Sequence, residues 1–351
     1  MKIQLTDNKE IYNYCKPYII AEIGSNHNGD IELAKAMIDE AIKCGCDCVK
    51  FQSWDTNSLI SEPEYKANTT YADSKKKHFG SLREMVEKYY LRKDQHYELR
   101  DYCIKKGIDF NSTPFSNEEV DLLNDLNVPF YKIASMDINN IPLLKYIAKF
   151  NKPIVLSTGM ASLGEIENAI NTIEKENNFK IILLHCISIY PPLNEQINLN
   201  NILMLQNTFT YPVGFSDHSI GFSIPLASIA LGACIIEKHF TIDKNLPGWD
   251  HEISADPTEM EIIVKESKNI SESLGSFKRI ISEDEEEKKK KFRRSIILKN
   301  NLQKGHIITE EDLVFKRPGT GFIPNEAQYI IGKKLRKNLA SEHILKKEDF
   351  D

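Results

Sequence analysis

The chain has 351 residues, of which 41% are hydrophobic and 27% charged, and its formal net charge is -6. This balance suits a globular protein in water and argues against nucleic acid or an anionic membrane surface as the main partner. No apolar stretch reaches membrane-spanning length, and the N-terminal MKIQLTDNKEIYNYCK lacks the apolar core of a secretory signal, so a cytoplasmic protein is expected.

From Tyr18 onward, eight short apolar runs recur at roughly even intervals. They are YIIAEIG (18–24), CVKFQSW (48–54), DFNSTPF (109–115), FYKIASMD (130–137), PIVLSTG (153–159), IILLHCIS (181–188), PVGFSDH (212–218) and CIIEKHF (234–240). Between the first two, Leu33, Ala34, Met37, Ile38, Ala41 and Ile42 repeat at helical spacing, and Gly45 supplies a stop. Further helices are predicted over 84–106, 117–126 (capped by Ser116 or Asn117), 163–175 and 223–231. Residues 59–80 are polar and lack periodicity, which predicts a long loop, a lid or binding loop if it lies on a catalytic face. Continuous apolar strands alternating with helices predict parallel strands covered on both faces, and eight such units predict a (β/α)8 TIM barrel over 1–281.

After Gly275 the character changes. The charge run 282–294, SEDEEEKKKKFRR, places Glu285/Lys289, Glu286/Lys290 and Glu287/Lys291 at i,i+4 in the favourable acid-first order, which predicts a solvated helix or linker. Residues 295–351 alternate short β-like runs with Gly turns and helical pieces such as Thr309 to Leu313, a small α+β module. Fewer than about 60 residues give a marginal core, so this module is expected to pack on the barrel or on a partner subunit. No internal repeat is evident. Of the seven cysteines, Cys44, Cys46 and Cys48 alternate as a metal clip would, but the simpler reading is small buried hydrophobes at a helix end and a strand start. Cys186 reads as core filler, and the odd count argues against a disulfide framework.

In a barrel of this kind, reactive groups gather at the C-terminal ends of the strands. Those ends carry Glu22, Lys50, Gln52, Thr113, Lys132, Asp137, Ser157, Thr158, His185, Ser216, Asp217, His218 and His239. His218 and His239 end adjacent strands, flanked by Asp217 and Glu237, and together could hold one divalent cation, although either alone reads equally as a satisfied core histidine. Lys50 and Lys132 sit inside apolar runs and must meet an anion, either a substrate or a buried carboxylate such as Glu22 or Glu237. With Thr113, Ser135, Ser157, Thr158 and Ser216 at the same level, and a helix starting just after Gly159, the set suits a phosphate. A buried barrel lysine can also serve as a Schiff-base nucleophile. Glu22 and Asp137 are the acid/base candidates, with salt-bridging to the lysines as the alternative.

The motifs AEIGSNHNGD (21–30), VKFQ (49–52), STPF (112–115), YKIAS (131–135), LSTGM (156–160), LLHC followed by IYP (183–191), GFSDHS (214–219), EKHFT (237–241) and KRPGTG (316–321), in this order over nearly the whole chain, resemble the sialic acid synthase family. The resemblance implies a barrel with a C-terminal antifreeze-like (SAF) domain. It implies condensation of phosphoenolpyruvate with an N-acetylmannosamine-like aldose, or with a 2,4-diacetamido-2,4,6-trideoxyhexose as in legionaminic- or pseudaminic-type synthases, to give a nine-carbon 2-keto-3-deoxy acid and phosphate. It also implies Mn2+, with Mg2+ or Co2+ as alternatives, on His218 and His239. Phosphoenolpyruvate contacts fall on Lys50, Thr113, Lys132, Ser135, Ser157 and Ser216, and sugar contacts on Gln52, Tyr190 and Asp250. A domain-swapped homodimer would bring Arg317 over the other subunit's barrel. Three departures stand out: Asp137 replaces a family Glu, Ser188 stands where some relatives have Asn, and LPGWDHEISADP (246–257) adds Trp249 and His251 beside Asp250.

Overall fold

Tyr18–Gly24, Cys48–Ser53, Asp109–Pro114, Tyr131–Ile133, Ile154–Ser157, Ile181–Cys186, Val213–Asp217 and Ile235–His239 are the eight strands that the apolar runs predict. They follow a short antiparallel hairpin, β1 (Ile3–Thr6) and β2 (Lys9–Ile11), and are therefore β3 to β10. The structure, a computed structural model, describes residues 1–69 and 80–351. Its compact units are Met1–Gly275 and Ser276–Asp351.

In the first unit β3 to β10 form one parallel sheet of order β5-β4-β3-β10-β9-β8-β7-β6. Parallel strands with helices outside bury both faces, and every residue of β3, β7, β8, β9 and β10 is buried. The sheet curls into a nearly closed (β/α)8 barrel. Between the edge strands β5 and β6, the Asn111 side chain reaches the carbonyl of Phe130 at 2.9 Å and helps tie the seam. The hairpin places Ile3, Leu5 and Ile11 in the main core, and Asn13 accepts a hydrogen bond from the amide of Val213, at the start of β9. It therefore lies at the end of the barrel away from the polar strand termini.

The helix after β3 runs Ile31–Cys44; Asp30 accepts from the amides of Glu32 and Leu33, and Gly45 ends the helix at φ 85°. Helices Leu163–Glu174 and Ser223–Ala230 lie where periodicity predicts them. The region 84–106, read as one helix, is two: Leu82–Lys88 and Lys93–Lys106. The break follows from packing. Tyr89, Met85, Val86 and Leu82 turn into a small apolar core with Trp54 and Tyr65, separate from the barrel core. The loop reading of 59–80 is also corrected, because Glu62–Ala67 is helical and supplies Tyr65 to that core. Residues 70–79 of the expected lid lie outside the described residues.

The second unit contains the charge run as an exposed helix, Glu283–Phe292, whose Lys290 carbonyl accepts from the amide of Gly319. A two-stranded ladder, β11 (Ser295–Leu298) with β12 (Leu313–Lys316), follows. The segment has a buried cluster of its own, formed by Ile296, Leu298, Leu302, Ile308, Leu313, Ile330, Leu335, Leu339, Leu345 and Phe350. An unexpected internal duplication explains it. Residues 301–313 (NLQKGHIITEEDL) and 338–350 (NLASEHILKKEDF) make matching contacts. Leu302 and Leu339 exchange amide–carbonyl bonds at 2.9 Å in both directions. Asn338 accepts from Lys304 N at 2.7 Å and Asn301 from Ser341 N at 2.8 Å. His306–Asp312 and His343–Asp349 pair at 2.9 Å each, and Gly305 and Glu342 share a positive φ. Two copies wound around each other bury apolar faces that one copy alone would expose.

Candidate active site

Strand alternation decides what faces the barrel interior. On β9 it sends Ser216 and His218 inward and Asp217 outward; on β10 it sends Glu237 and His239 inward and Lys238 outward. Asp217 and Lys238 therefore leave the site and pair with each other at 2.7 Å, each 1% exposed. The inward residues line a cavity of about 820 Å3 at the C-terminal strand ends. Of the candidate residues, Glu22, Lys50, Gln52, Thr113, Lys132, Ser135, Ser157, Ser188, Tyr190, Ser216, His218, His239 and Asp250 lie on it.

Several expectations are corrected. Asp137 is not on the cavity wall and among the described residues pairs with no lysine; its carboxylate accepts from Asn140 Nδ2 at 3.1 Å. The strand ends at Ile133, and the 3-10 turn Ser135–Asp137 that follows presents Ser135 and Met136 to the cavity instead. Thr158 is likewise off the wall, bonding the Leu184 carbonyl, and His185 bonds the Ile197 carbonyl. The helix after Gly159 starts only at Leu163, and Ser162 accepts from its Glu165 amide, so its first turn is capped by its own residues. Cys186, read as filler, lines the cavity with its sulfur 4.0 Å from His218 Nδ1. Of the two added residues in 246–257, Trp249 lines the cavity, whereas His251 is buried against Thr241 and Asn28. Arg317 belongs to the second unit, where it is exposed and its guanidinium lies over the Phe292 ring.

The cavity floor is a network of buried charge. Lys50 Nζ stands 2.5 Å from Glu22 Oε2, 3.6 Å from Glu237 Oε2 and 2.9 Å from Thr113 Oγ1. Lys132 Nζ stands 3.4 Å from Glu237 Oε1, which also accepts from Ser216 Oγ at 3.0 Å. Gln52 donates to Glu22 Oε1 at 3.0 Å. Gly159 is required by space: a Cβ there would lie 2.4 Å from Ser188 Oγ and 2.7 Å from Ser135 Oγ. Glu237, expected to flank the paired histidines or to partner a lysine, is the hub joining both lysines and Ser216. The signal was its two-residue offset from His239, which puts both on one face.

Burial raises the Glu22 carboxyl above the ordinary range despite the pull of Lys50. Burial would raise Glu237 too, but Lys132, Lys50 and the Ser216 hydrogen bond overcome it and hold that group low. For Lys50, burial is outweighed by Glu22 and Glu237, so its ammonium is strengthened. For Lys132 burial prevails over Glu237, and its pKa is lowered.

His218 and His239 approach with ring centroids 5.4 Å apart. His218 Nδ1 is 2.8 Å from the Ile187 carbonyl, leaving Nε2 available. His239 Nδ1 is buried without a hydrogen-bond partner, 3.7 Å from Asp250 Oδ2, and burial followed by the His218 charge pushes that ring well below its ordinary pKa. Two close imidazoles, one held neutral, fit a borderline divalent cation. Among the described residues no group of three or more His, Cys, Asp or Glu forms a metal cage by itself, so water or substrate oxygen would have to complete the set. Three buried polar atoms of cavity residues lack any hydrogen-bond partner: Ser157 Oγ, Glu237 Oε2 and His239 Nδ1. Buried polar atoms seldom stay unpaired, and this concentration marks where a polar ligand sits. One side of the cavity is apolar, with Phe115 and Trp249 lining it and Trp249 packed 6.3 Å from the Trp54 ring and 6.1 Å from the Tyr89 ring.

Known proteins share this sequence and fold. The chain is 41% identical to N,N'-diacetyllegionaminic acid synthase of Campylobacter jejuni, over 94% of this chain and 99% of the relative. It is 39% identical to the protein of the same name from Legionella pneumophila, over 93% and 94%. It is 34% identical to human N-acetylneuraminate-9-phosphate synthase, over 95% and 92%. Among solved structures, N-acetylneuraminic acid (sialic acid) synthetase from Leptospira borgpetersenii, determined with citrate, superposes with a TM-score of 0.74 at 37% identity, covering 82% of this chain and 95% of that one. The SAF domain profile matches residues 293–351 and the NeuB family profile residues 37–279, so the chain belongs to the NeuB family and ends in a SAF domain.

Proposed function

We propose that this protein is a nonulosonate synthase, which joins phosphoenolpyruvate to the open-chain form of an amino-sugar aldose and releases inorganic phosphate. The observation that carries this reading is the cavity floor, where two buried ammonium groups and two imidazoles meet among hydroxyls and three polar atoms without a hydrogen-bond partner. Lys50 and Lys132 hold the phosphate and carboxylate of the donor, with Thr113, Ser135 and Ser157 donating hydrogen bonds and Ser216, whose proton goes to Glu237, lining the same wall. Gln52, Ser188, Tyr190 and Asp250 face the sugar. A divalent cation, Mn2+ by preference and Mg2+ or Co2+ otherwise, would be held by His218 and His239 and, when bound, supplies Lewis-acid polarisation of the aldehyde.

Donor C3 attacks the aldehyde carbon and leaves positive charge at C2. Water adds to C2, and one of its protons ends on the former aldehyde oxygen. The C2 hydroxyl then gives up its proton as the C–O bond to phosphate breaks, leaving the P–O bond intact. Glu22, whose carboxyl pKa is raised by burial to about 7 against the pull of Lys50, so that it can both take and give a proton near neutral pH, is the group placed to carry a proton between these oxygens. The identity to two N,N'-diacetyllegionaminic acid synthases, and the Phe115 and Trp249 wall, support a 2,4-diacetamido-2,4,6-trideoxyhexose over N-acetylmannosamine as acceptor, its C6 methyl lying against the rings. The test is a panel of these aldoses with phosphoenolpyruvate and Mn2+, read by phosphate release and product mass. Condensation with the diacetamido sugar is expected; no phosphate release with any aldose would overturn the reading.

The active protein is a domain-swapped homodimer in the cytoplasm. Support comes from Met136, Met160 and Ile220, which are 59–69% exposed after β6, β7 and β9 and make an apolar rim around the cavity. The SAF domain of a second copy would cover that rim and present Arg317 of the partner subunit to the sugar. Seven buried free thiols and a phosphorylated donor suit a reducing compartment.

A further inference from the structure

Glu237 is an odd residue for a site that must take a trianion. It is 6% exposed, lines the cavity, and puts a second carboxylate beside lysines that Glu22 already partly neutralises. Each oxygen stands nearest one lysine, Oε1 3.4 Å from Lys132 and Oε2 3.6 Å from Lys50, but only Oε1 accepts a hydrogen bond, from the Ser216 hydroxyl; Oε2 is buried with no hydrogen-bond partner and keeps its lone pairs for a ligand.

The chemistry of the donor suggests what that oxygen faces. In phosphoenolpyruvate a single carbon, C2, carries both the phosphate ester oxygen and the carboxylate. If the two lysines hold those two anionic groups, a group that bridges the lysines stands opposite C2. During carbon–carbon bond formation C2 becomes cationic. We infer that Glu237 supplies the negative charge that stabilises C2 in that transition state, and that it does so at the expense of repelling the bound donor in the ground state. This rests on the synthase reading above. The carboxylate forms no bond; the C2 cation is discharged by water as before, and atoms and charge balance without it.

A kinetic split follows that mere support of the lysines would not produce. In Glu237→Gln, phosphoenolpyruvate should bind the aldose-free protein as tightly as in the parent or about 3-fold more tightly, because the repulsion is gone, while kcat should fall at least ~100-fold. Glu237→Asp keeps the charge but not the reach; its binding should not tighten, and its kcat should lie between parent and Gln variant. Calorimetry with phosphoenolpyruvate alone gives binding, and phosphate release gives turnover. A kcat within 5-fold of the parent would overturn the inference, as would a loss of turnover matched by equal loss of donor binding, which is the behaviour of a scaffold for Lys50 and Lys132. If the Gln variant does not fold, the Asp variant decides: tightened binding or parental kcat rejects the inference. Failure of the parent itself to bind phosphoenolpyruvate would instead reject the synthase reading, so the two failures are distinct.

Discussion

Lys50 and Lys132 carry the same formal charge under different restraint. Lys50 has Glu22 at 2.5 Å and Glu237 at 3.6 Å, whereas Lys132 has one carboxylate at 3.4 Å and its remaining contact is the Ile133 carbonyl at 3.3 Å. Burial accordingly lowers the pKa of Lys132 from its ordinary 10.5, while Lys50 is raised above it. A lowered lysine loses its proton earlier as pH rises, so donor binding should weaken on an alkaline limb that begins below 10.5. In Lys132→Met that limb should vanish and donor affinity should fall about 10- to 100-fold, the worth of one charge-assisted hydrogen bond. Titrating donor affinity against pH in both proteins checks this; an unchanged limb in the variant would assign it elsewhere. At the paired imidazoles, His239→Ala should abolish metal-dependent phosphate release and weaken Mn2+ binding read by its magnetic resonance signal. Full turnover without metal would remove His239 from that role.

Helix Lys93–Lys106 is fastened to the barrel by a buried polar chain. His96 Nδ1 lies 2.8 Å from the Arg92 carbonyl and Nε2 lies 2.7 Å from Ser53 Oγ, itself 2.6 Å from Ser112 Oγ. A carbonyl only accepts, so Nδ1 carries the proton, Nε2 accepts from Ser53, and Ser112 donates to Ser53. Protonating the ring would break this order, and burial lowers its pKa from 6.5 to about 4. As pH falls below 6.5 the unfolded chain takes up the proton first, so the stability this histidine contributes at neutral pH is lost progressively until the folded form also titrates near 4. The loss is on the order of 3 kcal/mol. Urea unfolding at pH 7.5 and 4.5 should show a steeper acid loss for the parent than for His96→Gln, whose side chain has no proton to gain. Parallel losses in both proteins would rule the helix anchor out as the acid-sensitive element.

For the whole molecule, the two units differ in how they become stable. The barrel buries continuous strands between helices; the SAF domain winds two similar segments together and closes its core without a large sheet. Arg317, in the RPGTG turn of that domain, is exposed, with its guanidinium over the Phe292 ring. Arg317→Ala should lower kcat/KM for the sugar at least ~10-fold, one lost charged contact, with the dimer unchanged in light scattering. Equal sugar kinetics in variant and parent would exclude Arg317 from the site, and a monomeric parent would exclude the swapped dimer.

The sequence by itself determined the barrel and most of its reactive rim. Strands covered on both faces read as unbroken apolar runs, and a parallel barrel brings the residues that end those runs to one face, so Lys50, Lys132, His218 and His239 were legible without coordinates. Only the tertiary structure decided direction and partnership. Asp137 is carried off the wall by the 3-10 turn past its strand end, Cys186 turns into the cavity, and Glu237 joins two lysines that lie far from it in sequence. The helix break near Tyr89 and the paired segments of the SAF domain also escaped a linear reading. Each depends on which distant side chains share a core, whereas periodicity reports only on neighbours along the chain.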